Sequence, residues 1–318
     1  ETRIKPRIKI TEEKNWFSFG GHEIGLASHA LGFLNEARRL TDESLGLIPN
    51  VRIGSLPGQA FSLGCRTYHK ISPHPSSDLP ASSTERFSIS YDRCLDGADR
   101  VTRVDLTGSE VFAITYPNPF PKQGEGRDLD FPSTIQIESL GVNYKARLAG
   151  FGTSDSIEVD RTYSYRADLV WDDGQYLYYE GVMKMTEDFR SVIDGKGRKN
   201  RLKTRLQSIE FVIDREKRKT VAISPVDITV NAEEDAYKFT TADEIELPSN
   251  VCDWPQAEFH VQAADSVDAF NVNLEAGVIS IGEKKSKEMK SCVFDQLTKS
   301  YVPSSALAIQ MLYYQLND

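Results

Sequence analysis

The sequence predicts a mainly β protein: a long antiparallel meander, built as a curved sheet, a sandwich or a half-barrel, with two or three packing helices. Three observations predict it. Runs rich in β-branched and aromatic residues alternate apolar with polar positions through the second half, among them STIQIESL, NYKARLAGF, SIEVDRTYSYRADLVW, LQSIEFVID, AEFHVQAA and GVISIG. Helical periodicity between these runs is slight, so consecutive strands pair as hairpins and not through βαβ crossovers. The 318 residues are 39% hydrophobic, enough to supply the core of one large or two ordinary domains.

The elements follow in order. IKPRIKITEEKNWFSFGG reads as extended, with Pro6 placing its start at a sheet edge. HEIGLASHALGFLNEARRL reads as a helix, because Ile24, Ala27, Leu31 and Leu34 recur at helical spacing and Arg38 and Arg39 fall where a last turn favours cations. This helix is expected to be buried and not to lie on a membrane, since its polar face lacks Lys and Arg before Arg38. SPHPSSDLPASST is a loop, RFSISYD a strand, and RVTRVDL and VFAITY a strand pair turning at Thr107-Gly108-Ser109. Six Pro and Gly residues then deny regular structure to residues 117–132. The expected organisation is an α+β subdomain over 1–116, a linker or long loop over 117–132, and an antiparallel β domain over 133–318. A last helix, ALAIQMLYYQL, follows the capping Ser304 and Ser305.

One hairpin allows the register itself to be read. In TYSYRADLVWDDGQYLYYEGVMKM, a three-residue loop at Asp172-Asp173-Gly174 sets Trp171 opposite Gln175, Leu169 opposite Leu177, Ala167 opposite Tyr179, Tyr165 opposite Gly181 and Tyr163 opposite Met183. Large side chains then cover small ones, and the other face pairs Arg166 with Glu180 and Asp168 with Tyr178. A two-residue loop would push Glu180 and Lys184 into the aromatic face and is rejected. Tyr163, Tyr165, Leu169, Trp171, Leu177 and Tyr179 are accordingly expected in the core. A sheet this long that curves also leaves a hollow in which such a face meets a lipid-like ligand.

Charge and cysteines narrow the function. A net charge of -9 argues against a general nucleic-acid binder, because the field of the whole molecule repels phosphate. Against that background KGRKNRLKTR stands out: Arg201, Lys203 and Arg205 share one face of a strand and suit a phosphate, sulfate, uronate or anionic headgroup. REKRK adds a second basic cluster at 215–219. Cys65, Cys94, Cys252 and Cys292 are widely spaced and even in number, which fits two disulfides, with Cys65–Cys94 and Cys252–Cys292 closing the shorter loops. That pattern, with a chain whose first residue is Glu1 and not Met, fits a secreted or periplasmic protein.

No P-loop, Rossmann fingerprint, nucleophile elbow or zincin spacing stands in the sequence, so no cofactor, metal or catalytic residue is assigned. No apolar run reaches the ~20 residues that a transmembrane helix needs. The expectation is a non-enzymatic extracytoplasmic protein that binds a lipid-like or anionic glycan ligand, or a protein partner. The alternatives are a carbohydrate-active enzyme with carboxylates and exposed tyrosines such as Tyr176 and Tyr178 around a cleft, and a structural component of a surface assembly.

Overall fold

The structure is a computed structural model that describes residues 22–45, 60–63, 66–72, 84–96, 102–116, 131–148, 156–193, 196–232, 235–248, 250, 253–263, 269–285, 292–295 and 300–303. One helix, α1 (His22–Ser44), precedes the strands. The first are β1 (Ala60–Leu63), β2 (Arg66–Lys70), β3 (Thr84–Asp96), β4 (Thr102–Thr115) and β5 (Thr134–Leu148). The longest follow: β6 (Ser156–Asp172), β7 (Tyr176–Ile193) and β8 (Lys196–Asp214). Then come β9 (Lys219–Ile223), β10 (Asp227–Ala232), β11 (Asp235–Thr240), β12 (Ile245–Glu246), β13 (Ala257–Ala263), β14 (Ala269–Glu275), β15 (Val278–Ile281) and β16 (Lys284–Lys285). A separate hairpin joins β17 (Cys292–Asp295) to β18 (Ser300–Pro303).

The predicted meander is what forms. Fourteen strands from β1 to β16 make one antiparallel path in nearly sequential order, the short pair β9 and β12 attaches beside β8, and the sheet does not close. The sheet curves, because α1 packs against β5, β8, β10 and β15, strands far apart in its order. The inner face carries the core: Phe112, Ile135, Ile137, Tyr165, Ala167, Tyr179, Met183, Leu206, Phe211, Phe239 and Val261 meet Ala27, Ala30, Leu31, Phe33, Leu34, Ala37 and Leu40 of the helix. Burying each large apolar side chain contributes about 1.5–3 kcal/mol. β4 and β5 pair from Thr102 with Leu148 to Thr115 with Thr134, so the sheet runs on across positions 117–132. Among the described residues, no helix is long and apolar enough to cross a membrane.

Bends in the long strands come from bulges. Registers shift in the β3–β4, β4–β5, β5–β6, β6–β7 and β7–β8 ladders, and each bulge bends its strand and adds twist. The Thr107-Gly108-Ser109 turn does not exist: β4 runs straight through it, and Gly108 instead sits at a bend with φ of 129°. A Cβ at Gly108 would lie 2.1 Å from the Gly141 carbonyl oxygen, so two glycines let β4 and β5 approach at this corner. STIQIESL and NYKARLAGF likewise join into one strand, β5, through Gly141 at φ 112°.

The β6–β7 hairpin keeps the predicted faces but not the predicted register. Asp172 pairs with Leu177, Leu169 with Tyr179, Ala167 with Gly181, Tyr165 with Met183 and Tyr163 with Met185, a slip of two residues that leaves every inward side chain inward. The loop is longer because the Asp173 carboxylate accepts bonds from the Gln175 and Tyr176 amides, wrapping the turn around itself. Tyr165 still covers Gly181, now as a diagonal neighbour, with its hydroxyl 3.2 Å from where a Cβ would stand. On the outer face Asp168, and not Arg166, lies opposite Glu180. Trp171 is the exception to the predicted core: a bulge between Leu169 and Trp171 reverses the alternation and leaves its ring 63% exposed.

The helix also departs from expectation. It runs past Arg38 and Arg39 to Ser44, so these residues are not in its last turn; both are buried, Arg38 on Asp42 of the helix and Arg39 on Glu36 of the helix and Glu110 of the sheet. The N-terminal stretch before residue 22, most of the 72–84 loop, and the expected C-terminal helix lie outside the described residues.

Candidate functional site

The sheet offers two faces, and the inner one is filled. Between α1 and the sheet lies a chain of buried polar groups joined by ion pairs and hydrogen bonds, in which Arg38 Nε and Glu187 Oε2 make ion-pair contacts but no hydrogen bond. The Arg161 guanidinium of β6 donates to Glu187 of β7 at 2.7 and 2.9 Å and to the Tyr144 hydroxyl at 3.2 Å. His29 on α1 stands 3.4 Å from Glu187 and 2.6 Å from the Thr204 hydroxyl. Arg39 forks onto Glu36 at 2.8 and 3.1 Å and reaches Glu110 at 3.3 Å. Glu110 also accepts from the hydroxyls of Tyr91 and Tyr163. Asp42 meets Arg38 and Thr220.

Burial sets the protonation of this network. It pushes the His29 imidazole below its ordinary range, outweighing the pull of Glu187, and pushes the Asp42 carboxyl up against the opposing effect of Arg38. The carboxylates of this network are thus held by arginine, tyrosine, threonine and histidine partners. The hollow expected for a lipid is occupied by α1.

The outer face is different. A hollow of about 590 Å³ lies across β3 to β8, inside the ~300–1,000 Å³ range usual for small-ligand sites. Val111, Ala113 and Val182 form its floor, and Arg86, Arg166, Lys184 and Arg205 rise around it with Gln136, Glu138, Ser164 and Gln207. Lys184 and Arg205 are direct cross-strand partners, an arrangement that costs stability because like charges face each other. Arg166 carries its own counter-ion, Asp168, in a fork of 2.7 and 3.0 Å. Among the described residues, Arg86, Lys184 and Arg205 have no carboxylate partner, in a chain of net charge -9.

The residues that the sequence singled out are only partly brought together. Arg201, Lys203 and Arg205 stand exposed on the outer side of β8, as their odd spacing requires, with Leu202, Thr204 and Leu206 facing inward. Arg205 alone lines the hollow; Arg201 is held by Asp188 at 2.5 and 2.9 Å. Tyr176 and Tyr178 lie half-buried at the β6–β7 tip, Tyr176 bonded to Gln175 and Tyr178 close to Asp173, away from the hollow. The basic turn at 215–219 is internally balanced, with Arg215 on Asp172, Lys217 on Asp214 and Arg218 over the Phe131 ring.

The side chains of the four cysteines lie outside the described residues. Among the described residues, no three His, Cys, Asp or Glu side chains gather as a metal site requires. Sequence reasoning missed Arg86, Arg166 and Lys184, which sit singly on three strands; the outward position of Lys184 in GVMKM was the available signal. No protein-family model, no curated protein and no solved structure matches the chain.

Proposed function

We propose that this is a non-enzymatic extracytoplasmic binding protein whose ligand is an anionic glycan held in the outer hollow. The observation that carries the reading is the Lys184–Arg205 pair: two cations set side by side against their mutual repulsion, with Arg86 across the floor and, among the described residues, no carboxylate ion-paired with them, Glu138 being the one acidic residue of the lining. The amides of Gln136 and Gln207 and the Ser164 hydroxyl add the donors and acceptors that a hydroxyl-rich ligand uses. A lipid-like ligand is favoured less, because α1 fills the inner face. The extracytoplasmic setting rests on the even, widely spaced cysteines.

The test is titration calorimetry with an oligogalacturonate and with a neutral oligosaccharide of equal length. Binding of the acidic glycan alone is expected, weakening as salt rises. The triple change Arg86→Ser, Lys184→Ser and Arg205→Ser abolishes it, whereas Arg201→Ser leaves most of it. Equal, salt-independent binding of both glycans, or an affinity unmoved by the triple change, overturns the reading.

A further inference from the structure

We propose that a second copy of this chain docks face to face on the outer surface of β7 and β8, about a two-fold axis that crosses the strands at Val182. The argument begins with the register. Glu180 of β7 is the direct partner of Glu210 of β8, and Lys184 is the direct partner of Arg205, so one ladder holds a row of like anions and a row of like cations. Each row alone destabilises the sheet. They lie four residues apart on β7, about 13 Å.

The bulge between them is what makes both rows possible. Gly181 pairs with Ile209 and Met183 with Leu206, so Gln207 and Ser208 both face out and the outward positions of β8 change from even at Glu210 to odd at Arg205. Midway between the rows stands Val182, 45% exposed, an apolar side chain between charged neighbours.

This pattern is its own complement. A two-fold rotation about an in-plane axis across the strands turns one outer face onto another, reverses strand direction, and keeps β7 over β7 and β8 over β8. Lys184 then lies over the second copy's Glu180 and Arg205 over its Glu210, each contact made twice, with the two Val182 side chains at the centre. Packed sheets stand ~10 Å apart, a gap that facing Lys or Arg and Glu side chains span. Arg166, in the same row as Val182 one strand away, brings no net charge to the axis because Asp168 neutralises it. Burial, and then Glu180 and Glu244, push the Glu210 carboxyl up, and among the described residues no cation is ion-paired with this anionic row. The same Lys184 and Arg205 line the glycan hollow, so a second copy and an anionic ligand compete for them. The docking itself does not depend on the glycan reading.

The experiment is light scattering on the eluting full chain at micromolar concentration, with no glycan present. The expected mass is twice that of one chain at low salt and falls to one chain at high salt. Lys184→Glu with Arg205→Glu makes the patch wholly acidic, Glu180→Lys with Glu210→Lys makes it wholly basic, and each variant alone is expected to be monomeric. Mixed one to one they form a heterodimer, and the fourfold exchange restores a salt-sensitive homodimer. A wild-type monomer at low salt, or a dimer that survives either reversal, overturns the proposal. If the basic variant fails to fold, the acidic one still decides, since its changes are at exposed positions and its dimer must be lost.

Discussion

On the inner side of β7, Glu187 is 1% exposed and touches Arg161 and His29; three residues earlier, on the outer side of the same strand, Lys184 faces Arg205 and, among the described residues, is ion-paired with no carboxylate. The difference follows from the medium. Away from water an unmatched charge costs several kcal/mol, so a buried network is complete or absent. In water the same mismatch costs a few tenths of a kcal/mol to about 1, so an uncompensated row is tolerated there.

The sharpest way to break this comparison is to unpair the interior. Arg161→Met strands Glu187 and is expected to cost about 3–5 kcal/mol in urea unfolding, while adding Glu187→Leu recovers most of that loss. A single change as mild as a surface substitution would mean that water reaches the network. A smaller effect is expected from pH. The folded state disfavours the His29 imidazolium, so the unfolded chain takes up that proton first as pH falls below the ordinary histidine value of 6.5. The stability that neutral His29 contributes is full above that pH and declines below it. Asp42 works in the opposite sense: its raised carboxyl makes the folded chain the better proton acceptor as pH falls further. Unfolding midpoints should therefore drop between neutral and mildly acidic pH, and His29→Gln should flatten that slope. An unchanged slope would place the sensitivity elsewhere. The smallest effect is on the outside: at high salt, where the chain is a monomer, Lys184→Ser with Arg205→Ser should leave stability within about 0.5 kcal/mol or raise it, since within one chain only repulsion is removed. A clear loss would mean that the pair supports the fold.

Much of this architecture was legible because β alternation is a local signal. Tyr163, Tyr165, Leu177 and Tyr179 face inward as the pattern demands, and a two-residue slip of the hairpin left them there because the pattern repeats every two residues. Trp171 escaped it because one bulge residue inverts the parity, and no local pattern in VWDDG marks a bulge. The sequence places Arg38 and Arg39 in the last turn, yet the helix runs on to Ser44; their helix neighbours Asp42 and Glu36 are local, but Glu110 joins Arg39 only once the sheet has wrapped the helix.

The candidate site divides in the same way. The basic run of β8 was visible because its charges are consecutive in the chain, but only Arg205 reached the hollow. Arg86, Arg166 and Lys184 come from strands that the register brings alongside it. By itself the sequence determined the mainly β class, the inward set of the β6–β7 hairpin apart from Trp171, and the cationic row of β8, because each depends on residues close in the chain. Tertiary structure decided what fills the curve, which charges are matched and which rows stand side by side. Those depend on bulges and on pairings across many residues, and single-chain alternation carries no record of either.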